Sequence, residues 1–191
     1  MITVARVSLN SKKIVINSFI YFGICFSSYV YATDYTITNG TTQTSRVTLT
    51  NNDTLTVDSG GEIDYTWPAV DADNRTFPAG TTTITNNGII EGNCCVIDIR
   101  SSTNPKIINN GTINGKTSSR TIYANNSVDA TIINNGDITI LEANDYEAID
   151  GDDSTGMTIT NNSGATITSQ GDDGIAIEGA DDPEFVKWKA T

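Results

Sequence analysis

The chain has 191 residues, 11 Lys and Arg against 23 Asp and Glu, no His, and a formal net charge of −12. That balance argues against nucleic acid and anionic membrane surfaces as partners, since both want the opposite sign, and leaves cationic groups and divalent metal. With no His and no Cys-x-x-Cys pair, zinc-site spacing is absent as well.

Residues 1–32 read as a secretory signal peptide. Arg6, Lys12 and Lys13 make a basic leader without an acidic residue, and Ile14 to Phe26 is an apolar run interrupted only by Asn17 and Ser18. Val30-Tyr31-Ala32 then supplies small residues for cleavage before Thr33. The alternative is a membrane anchor. Spanning a bilayer takes about 20 apolar residues, and this run has 13. Cys25 as a lipid-bearing cysteine fits poorly, because Ile24 precedes it. Cleavage leaves 159 residues, the length of one domain, with 8 basic and 23 acidic side chains and a net charge of −15. The expected location is exported, and the mature chain is not expected to insert in a membrane by itself.

Thr33–Asp58 is a weak form of a pattern that becomes regular later. It holds Tyr35-Thr-Ile-Thr-Asn-Gly40, Arg46-Val-Thr-Leu-Thr50 and Thr54-Leu-Thr-Val57, with Asn51-Asn52-Asp53 at a corner. It reads as a cap plus first coil, since the end repeats of a stacked array are atypical. Residues 59–80 break the rhythm after Tyr65 and read as an insertion loop. Such loops gather on one face of a repeat protein, often the binding face. Trp67, Asp71, Asp73, Arg75 and Phe77 are therefore the candidate contacts for a sugar or protein. The competing reading folds Trp67 back as a lid over the first coil.

From residue 81 one phrase returns four times: Ile84-Thr-Asn-Asn-Gly-Ile-Ile90, Ile107-Ile-Asn-Asn-Gly-Thr-Ile113, Ile132-Ile-Asn-Asn-Gly-Asp-Ile138 and Ile159-Thr-Asn-Asn-Ser-Gly-Ala-Thr-Ile167. The leading Asn residues are 86, 109, 134 and 161, so the steps are 23, 25 and 27. Ile and Thr favour strands, and Asn and Gly accept the positive φ of a sharp corner. A second apolar run follows each phrase, at Cys95–Ile99, Thr121–Ala124, Glu147–Ile149 and Gly174–Ile177. Three short strands per repeat of this length make one coil of a parallel solenoid. Four regular coils fill 81–182, and 183–191 is a truncated tail. Antiparallel hairpins are the alternative, because Asn-Gly between strands is a strong hairpin signal. Hairpins give no reason to repeat one phrase at a fixed period. Stacked coils do, with Asn side chains forming amide ladders along the stack. The expected fold is all-β, a right-handed parallel β-helix of about 5–6 coils behind the signal peptide.

Cys94 and Cys95 are the only cysteines beyond the leader. Neighbours in a strand point to opposite faces, and a disulfide between adjacent residues is strained. They read as one core thiol and one exposed thiol, with a disulfide as the alternative in an exported chain.

Asp150, Asp152 and Asp153 fall at the same point of their coil as Asp172 and Asp173 do in the next. Such stacked carboxylates are candidate Ca²⁺ ligands. They are also ordinary turn residues, and no other cofactor is expected. No catalytic residue is assigned, and the chain is expected not to be an enzyme.

The leader ending at Ala32, the Asn-Asn-Gly-x-Ile phrases at 86–90, 109–113 and 134–138, and Gly171-Asp-Asp-Gly-Ile-Ala-Ile-Glu-Gly179 give the chain a resemblance over about Thr33–Asp182. It resembles the passenger region of Gram-negative autotransporters and related β-helical adhesins. The resemblance implies a cell-surface, outer-membrane or secreted passenger segment, an adhesin or its structural stalk. Its partners would be a host-cell or matrix protein or glycan, with a translocator barrel in cis or trans. No alternating barrel strands follow Asp182, so the chain is expected to be a fragment, a truncated product or a passenger exported by separate machinery. The same Gly171–Ile177 segment also looks like the aspartate strand of polygalacturonases, which implies a β-helical carbohydrate-active enzyme. That family needs a Gly-His-Gly, and this chain has no His.

Overall fold

Neighbouring windings of this chain are joined strand to strand by parallel pairing. They are seen in a computed structural model that describes residues 7–9, 12–14, 32–117, 120–141, 147–169, 177–179 and 186–190. Two units are distinguished, 1–31 and 32–191. In the first, Val7–Leu9 and Lys12–Ile14 pair antiparallel, Val7 opposite Ile14. The leader's apolar run beyond Ile14 lies outside the described residues.

The second unit is all-β and built from three parallel sheets. The first sheet stacks Asp34–Ile37, Thr54–Val57, Ile84–Asn86, Lys106–Asn109, Thr131–Asn134, Met157–Asn161 and Val186–Ala190. The second stacks Thr42–Gln43, Glu62–Asp64, Ile89–Gly92, Thr112–Gly115, Asp137–Ile140 and Thr166–Ser169. The third stacks Val47–Thr48, Val70–Asp71, Ile97–Asp98, Ile122–Tyr123, Ile149–Gly151 and Ile177–Gly179. Each winding passes once through all three sheets, and the six levels rise through about five turns. Every level is one strand spacing, about 4.8 Å, above the last.

Alternation sets the register. In the strands of the first two sheets, every second side chain points inward. Ile84, Ile107, Ile132 and Ile159 lie in one row, with Leu55 paired beneath Ile84. Ile63, Ile90, Ile113, Ile138 and Ile167 form a row in the second sheet, and Val47, Val70, Ile97, Ile122 and Ile149 one in the third. Nearly all of these side chains are inaccessible to solvent. A slip of one residue would turn a whole row outward, so burial fixes the pairing.

The Asn-Asn-Gly corner between the first and second sheets is held by side chains. Asn86 Nδ2 donates to Asn109 Oδ1, Asn109 Nδ2 to Asn134 Oδ1 and Asn134 Nδ2 to Asn161 Oδ1, each at 2.8 Å. The same Nδ2 atoms also donate to the backbone carbonyls of Thr112, Asp137 and Thr166 in the winding above. Each Oδ1 accepts the N–H of the glycine two residues on, Gly88, Gly111 or Gly136. A second, exposed ladder runs beside it in the opposite sense: Asn110 Nδ2 donates to Asn87 Oδ1, Asn135 to Asn110 and Asn162 to Asn135.

The corner glycines have a different reason from the one the sequence suggests. None of Gly88, Gly111 and Gly136 has a positive φ. A Cβ on Gly111 would lie 2.1 Å from the Gly88 carbonyl oxygen, and one on Gly136 equally close to that of Gly111. Glycine is needed because the windings approach too closely for a side chain. The left-handed residues stack elsewhere, at the corner leaving the third sheet: Asn74, Ser101, Asn126 and Asp153 have φ of 55, 53, 58 and 53°. Asn and Asp tolerate that conformation better than most. Buried Ser102 and Ser154 close the corner by donating to the carbonyls of Ala72 and Ala124.

The segment 59–80 is not a loop outside the stack. Glu62–Asp64 and Val70–Asp71 are the second and third strands of the second winding, paired in register on both sides. Turn-forming Gly60 and the Trp67-Pro68 dipeptide mask their alternation in the sequence. Thr33–Asp58 accordingly holds one full winding and the first strand of the next. The apolar run Cys95–Ile99 contributes only Ile97–Asp98 as strand, and both cysteines fall in the corner before it.

At the start of the stack, Asp53 accepts N–H donations from Thr33 and Thr50 and a hydroxyl from Thr50. Burial works against its ionisation, but these donors prevail and hold its carboxyl below the ordinary 3.8. A lowered value adds stability that is present above the ordinary value and disappears as pH falls through the folded one.

Two predictions follow from the ladder and the cap. Asn109→Ala strands buried amide groups on Asn86 and Asn134 and should cost about 2–4 kcal/mol in urea unfolding, whereas exposed Asn110→Ala should cost under about 1 kcal/mol. Equal losses would show that the inner ladder holds nothing together. Asp53→Asn should lower stability at about pH 7 and narrow the gap between about pH 7 and about pH 3; denaturant midpoints at the two pH values measure it.

Candidate functional site

The outer face of the third sheet concentrates charge. Its outward row runs Thr48, Asp71, Asp98, Tyr123 and Asp150, each paired with the next in register. Arg100 turns back onto Asp98 through a forked pair, Nε to Oδ1 at 2.9 Å and Nη2 to Oδ2 at 2.7 Å. Arg120 Nε lies 2.6 Å from Asp150 Oδ2 and 3.4 Å from Glu147 Oε2. Both guanidinium groups lie over the Tyr123 ring, at 4.6 and 5.0 Å from its centre. Lower on the face, Arg46 meets Asp71 at 3.1 Å and donates to the Trp67 carbonyl at 2.7 Å.

The local backbone repeats as well. The N–H groups of Asp73, Arg100 and Asp152 each turn back to the carboxylate two residues before, on Asp71, Asp98 and Asp150. This closes the strand end and fixes each carboxylate against its own winding.

Asp98, Glu147 and Asp150 are buried, and a buried carboxylate without a cation carries a heavy desolvation cost. The hydrogen bonds to Asp98 raise the Arg100 pKa above its ordinary value, outweighing burial. Burial opposes the charge of Arg120, yet the facing charges of Asp150 and Glu147 still raise it. On the neighbouring second sheet, burial likewise opposes Lys116, and its contacts with Glu91 at 2.5 Å and Asp64 at 2.9 Å raise it. Stacking parallel strands brings like residues together; arginine and tyrosine between the carboxylates relieve the repulsion.

The residues singled out from the sequence are distributed as follows. Trp67 is 54% exposed beside this face. Asp71 and Asp73 belong to the network, with Asp73 at 4.0 Å from Arg100. Arg75 is half-buried and near Asp53, which feels its charge. Phe77 is not a surface contact: it is 2% exposed and packs in the core. It lies between the third-sheet and first-sheet strands, its N–H donates to the Thr103 carbonyl of the next winding, and its ring is buried with the core isoleucines. Asp150 is committed to Arg120, Asp152 is half-buried and Asp153 is an exposed left-handed corner residue. Asp172 and Asp173 lie outside the described residues. Among the described residues no three His, Cys, Asp or Glu side chains form a group able to hold a metal ion.

Arg46, Arg100, Arg120, Tyr123 and Glu147 escaped sequence reasoning. A signal was available: Asp71, Asp98, Tyr123 and Asp150 follow one another at 27, 25 and 27 residues, close to the 23, 25 and 27 of the Asn phrases. No known protein family, characterised protein or solved structure matches the chain.

Arg120→Ala leaves Glu147 and Asp150 buried without their cation and should cost roughly 2–4 kcal/mol. Arg46→Ala breaks a solvent-facing pair and should cost under about 1 kcal/mol. Adding Asp150→Asn to Arg120→Ala should recover part of the loss; urea unfolding of the four proteins decides it.

Proposed function

We propose that the chain is an exported cell-surface or secreted passenger segment, an adhesin or the stalk of one, that works by shallow contact along its length. The observation that carries this reading is the uniform in-register stack. It gives outer faces on which equivalent residues repeat at the strand spacing. Such a surface suits many weak contacts better than one enclosed ligand. Its acidic charge suits cationic or neutral partners, such as a host-cell or matrix protein or a glycan. Trp67, a large aromatic standing out of a charged face, has the character of a contact anchor. Export would need the leader and a translocator barrel in cis or trans.

A carbohydrate-active enzyme is a weaker reading. Asp150, the best-placed carboxylate of the acidic cluster, is buried and bound to Arg120, whereas acid–base work on a glycosidic bond needs two carboxyls facing a substrate. A purely structural spacer is the nearer rival, since every ion pair of the third sheet also serves folding.

Immobilised matrix proteins, glycans and whole host cells, probed with the full chain, separate these readings. An adhesin should bind at least one of them, and Trp67→Ala should weaken binding about tenfold or more with the circular dichroism spectrum unchanged. Binding that ignores Trp67→Ala removes the anchor; no binding to any surface leaves the spacer reading, and turnover of polygalacturonate restores the enzyme.

A further inference from the structure

Cys94 and Cys95 sit side by side in the corner between the second and third sheets, with their sulfurs 3.1 Å apart. In a strand, adjacent side chains would point to opposite faces. Here Cys95 has a φ of 46°. A left-handed residue is uncommon outside Gly, Asn and Asp, and this one turns both thiols to the same side. The corner is tied at both edges. Asn93 N–H donates to the Thr66 carbonyl below, Thr117 Oγ1 donates to the Asn93 carbonyl from above, and Ile97 N–H donates to the Thr121 carbonyl. Cys94 is half-buried and Cys95 is buried, so one thiol meets solvent and the other waits behind it.

We propose that Cys94 and Cys95 are a redox modification site, a dithiol that small disulfide oxidants close into a bond between neighbouring residues. The Cys94 thiolate attacks one sulfur of an external disulfide RSSR, forms a mixed disulfide and expels RS⁻. The Cys95 thiolate then attacks Cys94 Sγ and expels the second RS⁻. The two protons from the cysteine thiols pass to solvent and on to the released thiolates, so two protein thiols and RSSR become one protein disulfide and two RSH. The sulfurs need to close by only about 1 Å to reach the usual S–S length of about 2.05 Å. Adjacent Cα atoms are about 3.8 Å apart, short of the usual disulfide span. The closed form is thus strained, and reduced glutathione should reopen it where ordinary structural disulfides stay closed.

The full chain carrying Cys25→Ser, which removes the one other cysteine, is equilibrated with oxidised and reduced glutathione and read by intact mass and thiol titration. The expected product in oxidising buffer has lost two hydrogens, holds no glutathione and has no free thiol. Reducing buffer should restore both thiols. Cys95→Ser in the same background should stop at a single glutathione adduct on Cys94. Cys94→Ser should react at least about tenfold more slowly, because only the buried thiol remains. The proposal is overturned if the parent keeps both thiols, accumulates glutathione adducts without closing, or cross-links only between chains. A folded-state control is built in: the Asn ladder lies at another corner, so circular dichroism should be the same for dithiol and disulfide. Unfolding on oxidation would also overturn it.

Discussion

Each winding of this protein is hydrogen-bonded almost entirely to the windings above and below it, and everything else depends on that axial pairing. A single coil has no sheet of its own: its three short strands have partners only in other coils. Its isoleucines have no interior until another layer closes over them. Stability therefore belongs to the stack rather than to any level. Axial pairing also aligns chemically equal residues, so each sequence choice is multiplied along the rod. Isoleucine repeats as a dry row and asparagine as an amide chain. Aspartate, repeated alone, would be a column of repelling charges.

The third sheet shows how that last problem is resolved. Asp71, Asp98 and Asp150 share one row, yet Tyr123 interrupts it and Arg46, Arg100 and Arg120 reach in from the flanks. Arg100 and Arg120 are bound to carboxylates on one side and lie against the Tyr123 ring on the other, which favours their charged form against partial burial. The exposed Trp67 lies at the edge of this compensated surface and is tied to it through its own carbonyl.

The windings at 81–169 were legible in the sequence because Ile and Asn recur at fixed offsets within each corner phrase, so period, row and ladder followed together. The second winding was not. Val70 and Ile63 occupy the same rows, but Gly60, Gly61 and Pro68 crowd the intervening corners and no Asn-Asn-Gly phrase marks the register. Phe77 was misplaced for a related reason, since a corner between strands can bury an aromatic that a sequence shows only among turn residues. The charged face was half legible. Its aspartates stood out, but the arginines that neutralise them lie two residues after Asp98 or three before Tyr123, at offsets that no stacking rule dictates. The expected core thiol is Cys95, with Cys94 the more exposed of the two, but the opposite faces expected of strand neighbours do not apply because neither lies in a strand.

The inner amide chain resembles what holds fibrils together, where identical layers are added without limit. In this protein it is bounded. Asn86 pairs in register with Val57 on one side, and Asn161 with Ala190 on the other. Neither neighbour offers an amide, and Asn161 turns its own Nδ2 back to the Ala165 carbonyl of the same winding. Among the described residues the inner amide chain therefore stops at four rungs, while the strand pairing that carries it runs on past both of its ends without it.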